Sequence, residues 1–206
     1  MDDNPKSRLS IGDIKIALAR FNNLTGKRIG LLAMDACLMQ TLEVALELSD
    51  QVEYFVGSSQ IQNFRGLPYH HILKKIDSKL SPYQLAKLIP DEFKKYSDKI
   101  NNSSATMSSV NTFELNNIFI NEFNRTFSKI NQFLKRHPFK TIDIKDKIAN
   151  SPFFLGNSRD LSSSLRLLQE YFYHLNEREI YNSLGLTLEY LNQSIVNFAY
   201  GKNYFQ

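Results

Sequence analysis

Cysteine is nearly absent from the sequence: one, Cys37, occurs among 206 residues. A single cysteine excludes an internal disulfide and excludes a metal cluster held by several thiolates. A lone cysteine is most often a small buried apolar side chain. A catalytic role for Cys37 therefore needs support from the residues around it.

Long hydrophobic runs are also lacking. None approaches the roughly 18–20 apolar residues of a membrane-spanning helix, so we expect no membrane partner. The start, Met1 to Lys6, is polar and acidic, unlike a secretory signal peptide, but an upstream piece can have been removed. With 206 residues and a hydrophobic fraction of 42%, the chain can bury a sizeable core. We predict one domain over 1–206, with a flexible lead-in at 1–8.

The charge imbalance is small, with a formal net charge of +4 from 25 Lys and Arg against 21 Asp and Glu. A nucleic-acid-binding chain usually concentrates its basic residues in one patch with interleaved aromatic residues. Here Lys and Arg are scattered among the acids. We interpret the charge as a solvated surface and expect no nucleic-acid partner, and a basic α/β module on DNA or RNA is the weakest alternative.

Short apolar runs alternate with helical repeats in the first half of the chain. The continuous run Arg28–Met34 is typical of a strand buried on both faces, and Val52–Gly57 is predicted as the next strand. This alternation predicts an α/β fold with parallel pairing, followed by a more helical second half. Helices are predicted at 10–21, 38–48, 69–76, 81–96, 115–134, 142–150, 161–175 and 189–195, and further strands at 105–110 and 198–205.

Cys37 stands where the first predicted strand ends and the helix over 38–48 is predicted to begin. Ligands of open α/β sheets bind at the carboxyl ends of strands. A helix N-terminus also favours a thiolate through its dipole and its free N–H groups. On position alone, a catalytic and a structural cysteine are equally compatible with the sequence.

The block Leu31–Met39, which reads Leu-Leu-Ala-Met-Asp-Ala-Cys-Leu-Met, is the most specific pattern in the chain. The same pattern includes Leu9–Leu18, Glu43–Ala45, Glu47, Leu48, Tyr54, Ser58, Gly66, Pro68, Tyr69, Ile72 and Leu73 and, more weakly, 106–110 and 201–205. Together these residues resemble the clostripain family of cysteine peptidases, which have the caspase-like fold. The resemblance implies a three-layer α-β-α sandwich with a mostly parallel central sheet that lacks its N-terminal strands.

By this resemblance, Cys37 would be the nucleophile that attacks the scissile carbonyl and forms a thioester. Asp35, Ser58 and the position of Arg65 would belong to the S1 pocket, which holds the substrate side chain before the cleaved bond. Family members usually have an acid where Arg65 stands, so their preference for cleavage after Arg or Lys is in doubt here. The alternatives are that Asp35 caps the following helix and that Arg65 points to solvent.

A catalytic histidine is missing from the expected place. The family provides it from a strand upstream of the cysteine, as the group that takes and returns protons. Here no histidine precedes Cys37, and the four present are His70, His71, His137 and His174. The resemblance therefore implies that an upstream segment or light chain supplies the histidine and that this chain alone is inactive. The alternatives are a catalytically silent caspase-like binding module and, less favoured, a dyad with His70 or His71.

Calcium supports some relatives, but the sequence has no Asp-rich loop that would dedicate several oxygens to the ion. Asp143, Asp146 and Asp160 are too loosely spaced to form one. A calcium requirement stays open and unassigned. The expected substrate is a peptide or protein. Because relatives are often exported bacterial enzymes, a bacterial source is favoured, with secretion after processing left open.

Overall fold

A computed structural model describes residues 9–62, 65–77, 79–100, 106–153 and 158–201. Within that part, β1 (Ile29–Ala33), β2 (Val52–Gly57), β3 (Thr106–Asn111) and β4 (Ile195–Tyr200) lie in this order across one sheet. β1 and β2 are parallel, whereas β3 is antiparallel to both β2 and β4. The lead-in predicted at 1–8 and the end of the strand predicted over 198–205 lie outside the described residues.

Helices surround this sheet and confirm the expected α/β class. They are α1 (Ile11–Thr25), α2 (Leu42–Leu48), α3 (Tyr69–Leu73), α4 (Pro82–Lys99), α5 (Ile120–Arg136), α6 (Lys140–Ala149), α7 (Leu161–His174) and α8 (Arg178–Ser194), with a π-helical segment Glu114–Phe119 before α5. No helix in the described part of the chain is long and apolar enough to cross a membrane.

The sheet is mixed rather than mostly parallel, and α4 gives the physical reason. Pro82, at the start of α4, lies against Gly30 near the start of β1. α4 therefore runs towards the edge where β1 and β2 end. The chain re-enters the sheet at that edge, so β3 must run in the opposite direction.

Side chains of the strands alternate between two separate cores, as the twofold period of a strand requires. Phe55 belongs to the larger core, which is built with α5, α7 and α8. The next residue, Val56, belongs to a smaller core with Ile72 of α3 and with Ile89 and Phe93 of α4. Helices thus cover both faces of the sheet, which confirms the three-layer α-β-α arrangement.

β1 and α1 are the least covered elements. Neither contains a fully buried residue, whereas β2 buries most of its residues. In α1, Ile16, Phe21 and Leu24 are 55%, 51% and 88% exposed. The strand order leaves β1 at one end of the described sheet. An open sheet edge and an apolar helix face are therefore both uncovered in the described part of the chain.

Thr112, directly after β3, is a buried connection between strands that we expect to be important for stability. Its hydroxyl donates to the Val52 carbonyl at 2.5 Å and accepts from the Arg28 guanidinium at 2.9 Å. Thr112→Val keeps the shape and removes these hydrogen bonds, while Arg28 still donates to the Val52 carbonyl at 2.6 Å. We expect the free energy of unfolding, measured by urea denaturation, to fall by about 0.5–1.5 kcal/mol. Thr112→Ser, which retains the hydroxyl, should lose less, and equal losses would contradict this role.

Candidate active site

The predicted site residues lie at one edge of the sheet. β1 and β2 end there together, and β3 begins there, because Gly57 at the end of β2 pairs with Ser108 near the start of β3. Cys37 follows β1 and is exposed, as expected for a reachable nucleophile. The sequence therefore predicted correctly that this cysteine follows the carboxyl end of a strand.

The helix predicted directly after Cys37 is wrong in its first part. α2 begins only at Leu42, where Thr41 is the N-cap and its hydroxyl accepts the Val44 N–H at 3.3 Å. Leu38 has φ 59°, the left-handed conformation, which a helix cannot include. Cys37 thus lies in a turn, and the expected thiolate stabilisation by a helix N-terminus does not apply.

A second chain segment holds this turn in place. Backbone hydrogen bonds join the two: Met34 N–H to Val56 O (2.9 Å), Leu38 N–H to Gln60 O (3.3 Å) and Gln40 N–H to Ser58 O (3.0 Å). The first bond continues the parallel pairing of β1 with β2 by one residue, and the other two join the turn to the segment after β2 in the antiparallel sense. The conformation of the cysteine turn therefore depends on the segment Ser58–Gln62, which we call the β2 loop.

The sulfur of Cys37 contacts the peptide group of Gln62 in the β2 loop. The Gln62 N–H donates to Sγ at 3.2 Å, and Sγ lies 3.9 Å from the Gln62 carbonyl oxygen, within reach of a weak S–H bond. The contact puts a backbone N–H donor at the sulfur, where the sequence predicted a helix N-terminus.

Asp35 lies next to the segment that contains Arg65. Its Oδ2 accepts from the Leu67 N–H at 3.0 Å and from the Tyr69 hydroxyl at 2.9 Å. Burial raises the pKa of Tyr69, and the hydrogen bond to Asp35 raises it further, so the hydroxyl remains a donor at neutral pH. Asp35 and Arg65 are both exposed. The structure thus brings the predicted S1 carboxylate next to the chain segment predicted to line the same pocket.

Ser58, the other predicted pocket residue, lies below the surface. It is fully buried, and its hydroxyl donates to the Gln60 carbonyl at 3.0 Å within the β2 loop. In this position Ser58 supports the loop from inside.

Gly66 is required by two features of this site. Gly66 and Gly26 have the same positive φ of 64°, which costs a residue with a Cβ about 1–2 kcal/mol. A Cβ at Gly66 would also overlap the Asp35 carboxylate, whereas at Gly26 nothing lies within 4 Å. That carboxylate cannot move away without losing its two hydrogen bonds.

We therefore expect Gly66→Ala to lower the free energy of unfolding in urea by more than Gly26→Ala, its matched control. Both variants bear the cost of the left-handed conformation, so the difference isolates the overlap with Asp35. Equal losses would mean that the contact with Asp35 relaxes at no cost.

The histidines lie elsewhere. His70 and His71 belong to α3, and their ring centroids lie 3.9 Å apart with the rings tilted by 41°. His71 borders a small cavity with Glu92 and Lys95 of α4. Desolvation, and then the neighbouring His70, lowers the pKa of His71. His137 ends α5 and His174 ends α7. Among the residues that the structure describes, no histidine forms a hydrogen bond with Cys37.

The described residues also contain no group of three or more His, Cys, Asp or Glu side chains that could hold a metal ion. Calcium, for which the sequence indicated no ligands, stays a prediction without assigned residues.

The sequence did not predict the roles of Gln62, Thr106 and Tyr69 at this site. In the sequence, Tyr69 and the range 106–110 belong only to a family pattern, and no pattern points to Gln62. Their contacts join residues 34, 47 and 25 positions apart, so no local pattern contains them. A weak signal existed for Thr106, the second residue of the strand predicted at 105–110, because a residue near the start of a strand lies near an edge of the sheet.

The cysteine is exposed, a peptide N–H lies at its sulfur, and it stands at the edge where strands of an α-β-α sandwich end. These features define a candidate thiol-dependent enzyme. The family model described as the clostripain family matches residues 1–205. The chain therefore belongs to the clostripain family of cysteine peptidases. The comparison with curated proteins found no match.

Solved structures of similar proteins agree with this fold. A clostripain from Bacteroides thetaiotaomicron ATCC 29148, in complex with the peptide inhibitor BTN-VLTK-AOMK, has 17% identity and a TM-score of 0.58, over 95% of this chain and 77% of that one. A cysteine protease from B. fragilis has 17% identity and a TM-score of 0.57, over 96% and 76%. An inactive zymogen of a C11 protease from Parabacteroides distasonis has 18% identity and a TM-score of 0.57, over 92% and 48%.

Proposed function

We propose that this chain is the Cys-bearing C-terminal part of a single-domain endopeptidase. In this proposal Cys37 is the nucleophile, and a histidine from an upstream segment or light chain is its general base. The observation that carries the proposal is the exposed Cys37 thiol at the carboxyl edge of the sheet, in a chain of the clostripain family.

The chemistry needs two groups, of which this chain supplies one. The histidine would take the proton of the Cys37 thiol, and the thiolate would attack the scissile carbonyl to give a thioester. The same histidine would protonate the leaving amine, and water would then hydrolyse the thioester. The Gln62 N–H lies 3.2 Å from Sγ and would help to fix the position of the sulfur before the attack.

We propose that the upstream segment docks at the edge of β1 that no strand pairs within the described part of the chain. A strand added there in parallel would end at the same edge as β1, and a residue just beyond it would lie beside the Cys37 turn. The exposed side chains Ile16, Phe21 and Leu24 of α1 would be buried against the same segment. Both features give an upstream histidine a route to the sulfur.

The specificity that we propose follows from Asp35 and Arg65. The solved B. thetaiotaomicron clostripain is bound to an inhibitor whose peptide ends in lysine. In this chain the cation Arg65 directly precedes Gly66, and Gly66 lies against the Asp35 carboxylate. We propose that the pocket disfavours a basic side chain and accepts a polar or acidic one.

Coexpression with the upstream sequence encoded before Met1 tests the assignment of the histidine. We expect no cleavage of a peptide library by this chain alone, and cleavage once a segment with a strand ending in histidine is present. Alanine at that histidine should abolish the cleavage again. Full activity of the isolated chain would refute the proposal.

A catalytically silent binding module is the second candidate, favoured by Arg65 and by the absence of a histidine bonded to Cys37 among the described residues. An upstream region without a suitably placed histidine, together with peptide binding and no turnover, would select it.

A further inference from the structure

We propose that Thr106 is a positioning residue for Cys37, because its buried hydroxyl fixes the loop that places the Gln62 N–H at the sulfur. The inference rests on the proposed role of Cys37 as the nucleophile. Nothing in the family resemblance gave Thr106 a role.

Thr106 is the first residue of β3 and is only 6% exposed. Its Oγ1 accepts from two consecutive backbone N–H groups, those of Ser59 and Gln60, both at 3.1 Å. The Ser58 hydroxyl lies 3.1 Å from the same oxygen. One hydroxyl thus holds three successive residues of the β2 loop.

The loop passes this constraint on to the cysteine turn. The carbonyls of Ser58 and Gln60 accept the backbone N–H groups of Gln40 and Leu38, on the carboxyl side of Cys37. Two residues after Gln60, the N–H of Gln62 lies 3.2 Å from Sγ. Thr106 therefore acts on Cys37 through both the turn that carries it and the donor that contacts it.

The Gln62 side chain does not provide a competing anchor. Gln62 is only 8% exposed, yet neither its amide nitrogen nor its amide oxygen has a hydrogen-bond partner among the described atoms. The hydrogen bonds at 58–60, two from backbone N–H groups to Thr106 and one from the Ser58 hydroxyl to the Gln60 carbonyl, therefore act on the position of its peptide group. Because a hydrogen bond weakens steeply as its angle and distance depart from the ideal, a small shift of the loop would weaken the N–H contact with sulfur.

The alkylation rate of Cys37 by iodoacetamide, followed across pH on the full chain, measures this effect without any cleavage. Cys37 is the only cysteine, so the reaction reports one sulfur. For Thr106→Val we expect the rate at pH 7 to fall about two- to tenfold, as for the loss of one hydrogen bond to the sulfur. The rate at high pH, where every molecule carries the thiolate, should not change. Thr106→Ser keeps the hydroxyl and should restore the wild-type profile.

A second variant keeps the test decisive if Thr106→Val does not fold. Gln62→Pro removes the N–H that contacts sulfur and leaves the Thr106 hydrogen bonds in place, so it should shift the profile in the same direction. Asp35 is the charged residue nearest in the sequence to the cysteine turn, and Arg65 is the nearest to the β2 loop. Both are unchanged in every variant.

A wild-type profile in a folded Thr106→Val protein, or in Gln62→Pro, would overturn the inference. That result leaves the proposed function intact, because the function fails only if cleavage by the reconstituted enzyme does not need Cys37.

Discussion

Replacing Cys37 with alanine should reduce peptide cleavage by the reconstituted enzyme to background, a loss of roughly 10⁴–10⁶-fold in kcat. No other thiol in the chain can form the thioester, because Cys37 is the only cysteine. Cys37 is also exposed, so its removal should leave no cavity in the core. The measurement is kcat and KM on a fluorogenic peptide with the histidine-bearing segment present.

Three controls separate loss of chemistry from loss of structure. Urea denaturation of Cys37→Ala should give a wild-type free energy of unfolding. Its affinity for the upstream segment should also be unchanged. Wild-type activity should fall in proportion to single alkylation by iodoacetamide, detected as one mass increment. Cleavage by Cys37→Ala at more than a few per cent of the wild-type rate would rule out this nucleophile.

Elements that depend on neighbouring residues were predictable from the sequence. The Ser10 hydroxyl accepts the Asp13 N–H at 3.1 Å, and the Asp13 carboxylate accepts the Ser10 N–H at 2.9 Å, so both halves of the predicted helix start are present. The strands predicted at 28–34 and 52–57 became β1 and β2. β2 buries most of its residues, but the burial on both faces predicted for β1 is wrong, since no residue of β1 is fully buried. In each case the deciding contacts lie within one element or follow from its burial.

Elements set by distant contacts were not predictable. The helix predicted at 38–48 loses its first turn because hydrogen bonds to the β2 loop hold Leu38 in the left-handed conformation. α8 begins at Arg178, eleven residues before the predicted start. Its interior glycine, Gly185, disguises the helical pattern, and a Cβ there would meet only the flexible end of the Gln169 side chain of α7. That contact arises only when α7 and α8 pack together.

The candidate site, too, was predictable where neighbouring residues decide it and unpredictable where distant contacts do. Placement of Asp35 and Cys37 beyond β1 followed from the strand pattern. The donor at the Cys37 sulfur did not, because Gln62 approaches from the end of the next strand. Likewise, the two donors on Asp35, the Leu67 N–H and the Tyr69 hydroxyl, arrive only when the loop after β2 folds back.

Arg65 should control which side chain the enzyme accepts before the cleaved bond. Two unit charges about 4 Å apart interact by about 4 kcal/mol at an effective dielectric constant near 20. Because Arg65 is exposed, solvent screening reduces this to about 0.2–1 kcal/mol per charge. For Arg65→Asp, which changes repulsion to attraction and so counts twice, we expect kcat/KM on a peptide with Arg at P1 to rise roughly twofold to thirtyfold.

The assay compares matched peptides with Arg, Lys, Asp and Gln at P1, and we expect the wild type to prefer Asp or Gln. Lys27→Asp is the matched control, because it changes the charge equally just before β1, at the opposite edge of the sheet, and should leave the preference unchanged. Asp35→Asn should weaken any residual cleavage after Arg, since it removes the carboxylate that Leu67 and Tyr69 hold. If the wild type cleaves efficiently after Arg and Arg65→Asp changes nothing, the guanidinium points away from the substrate and the predicted change of specificity is wrong.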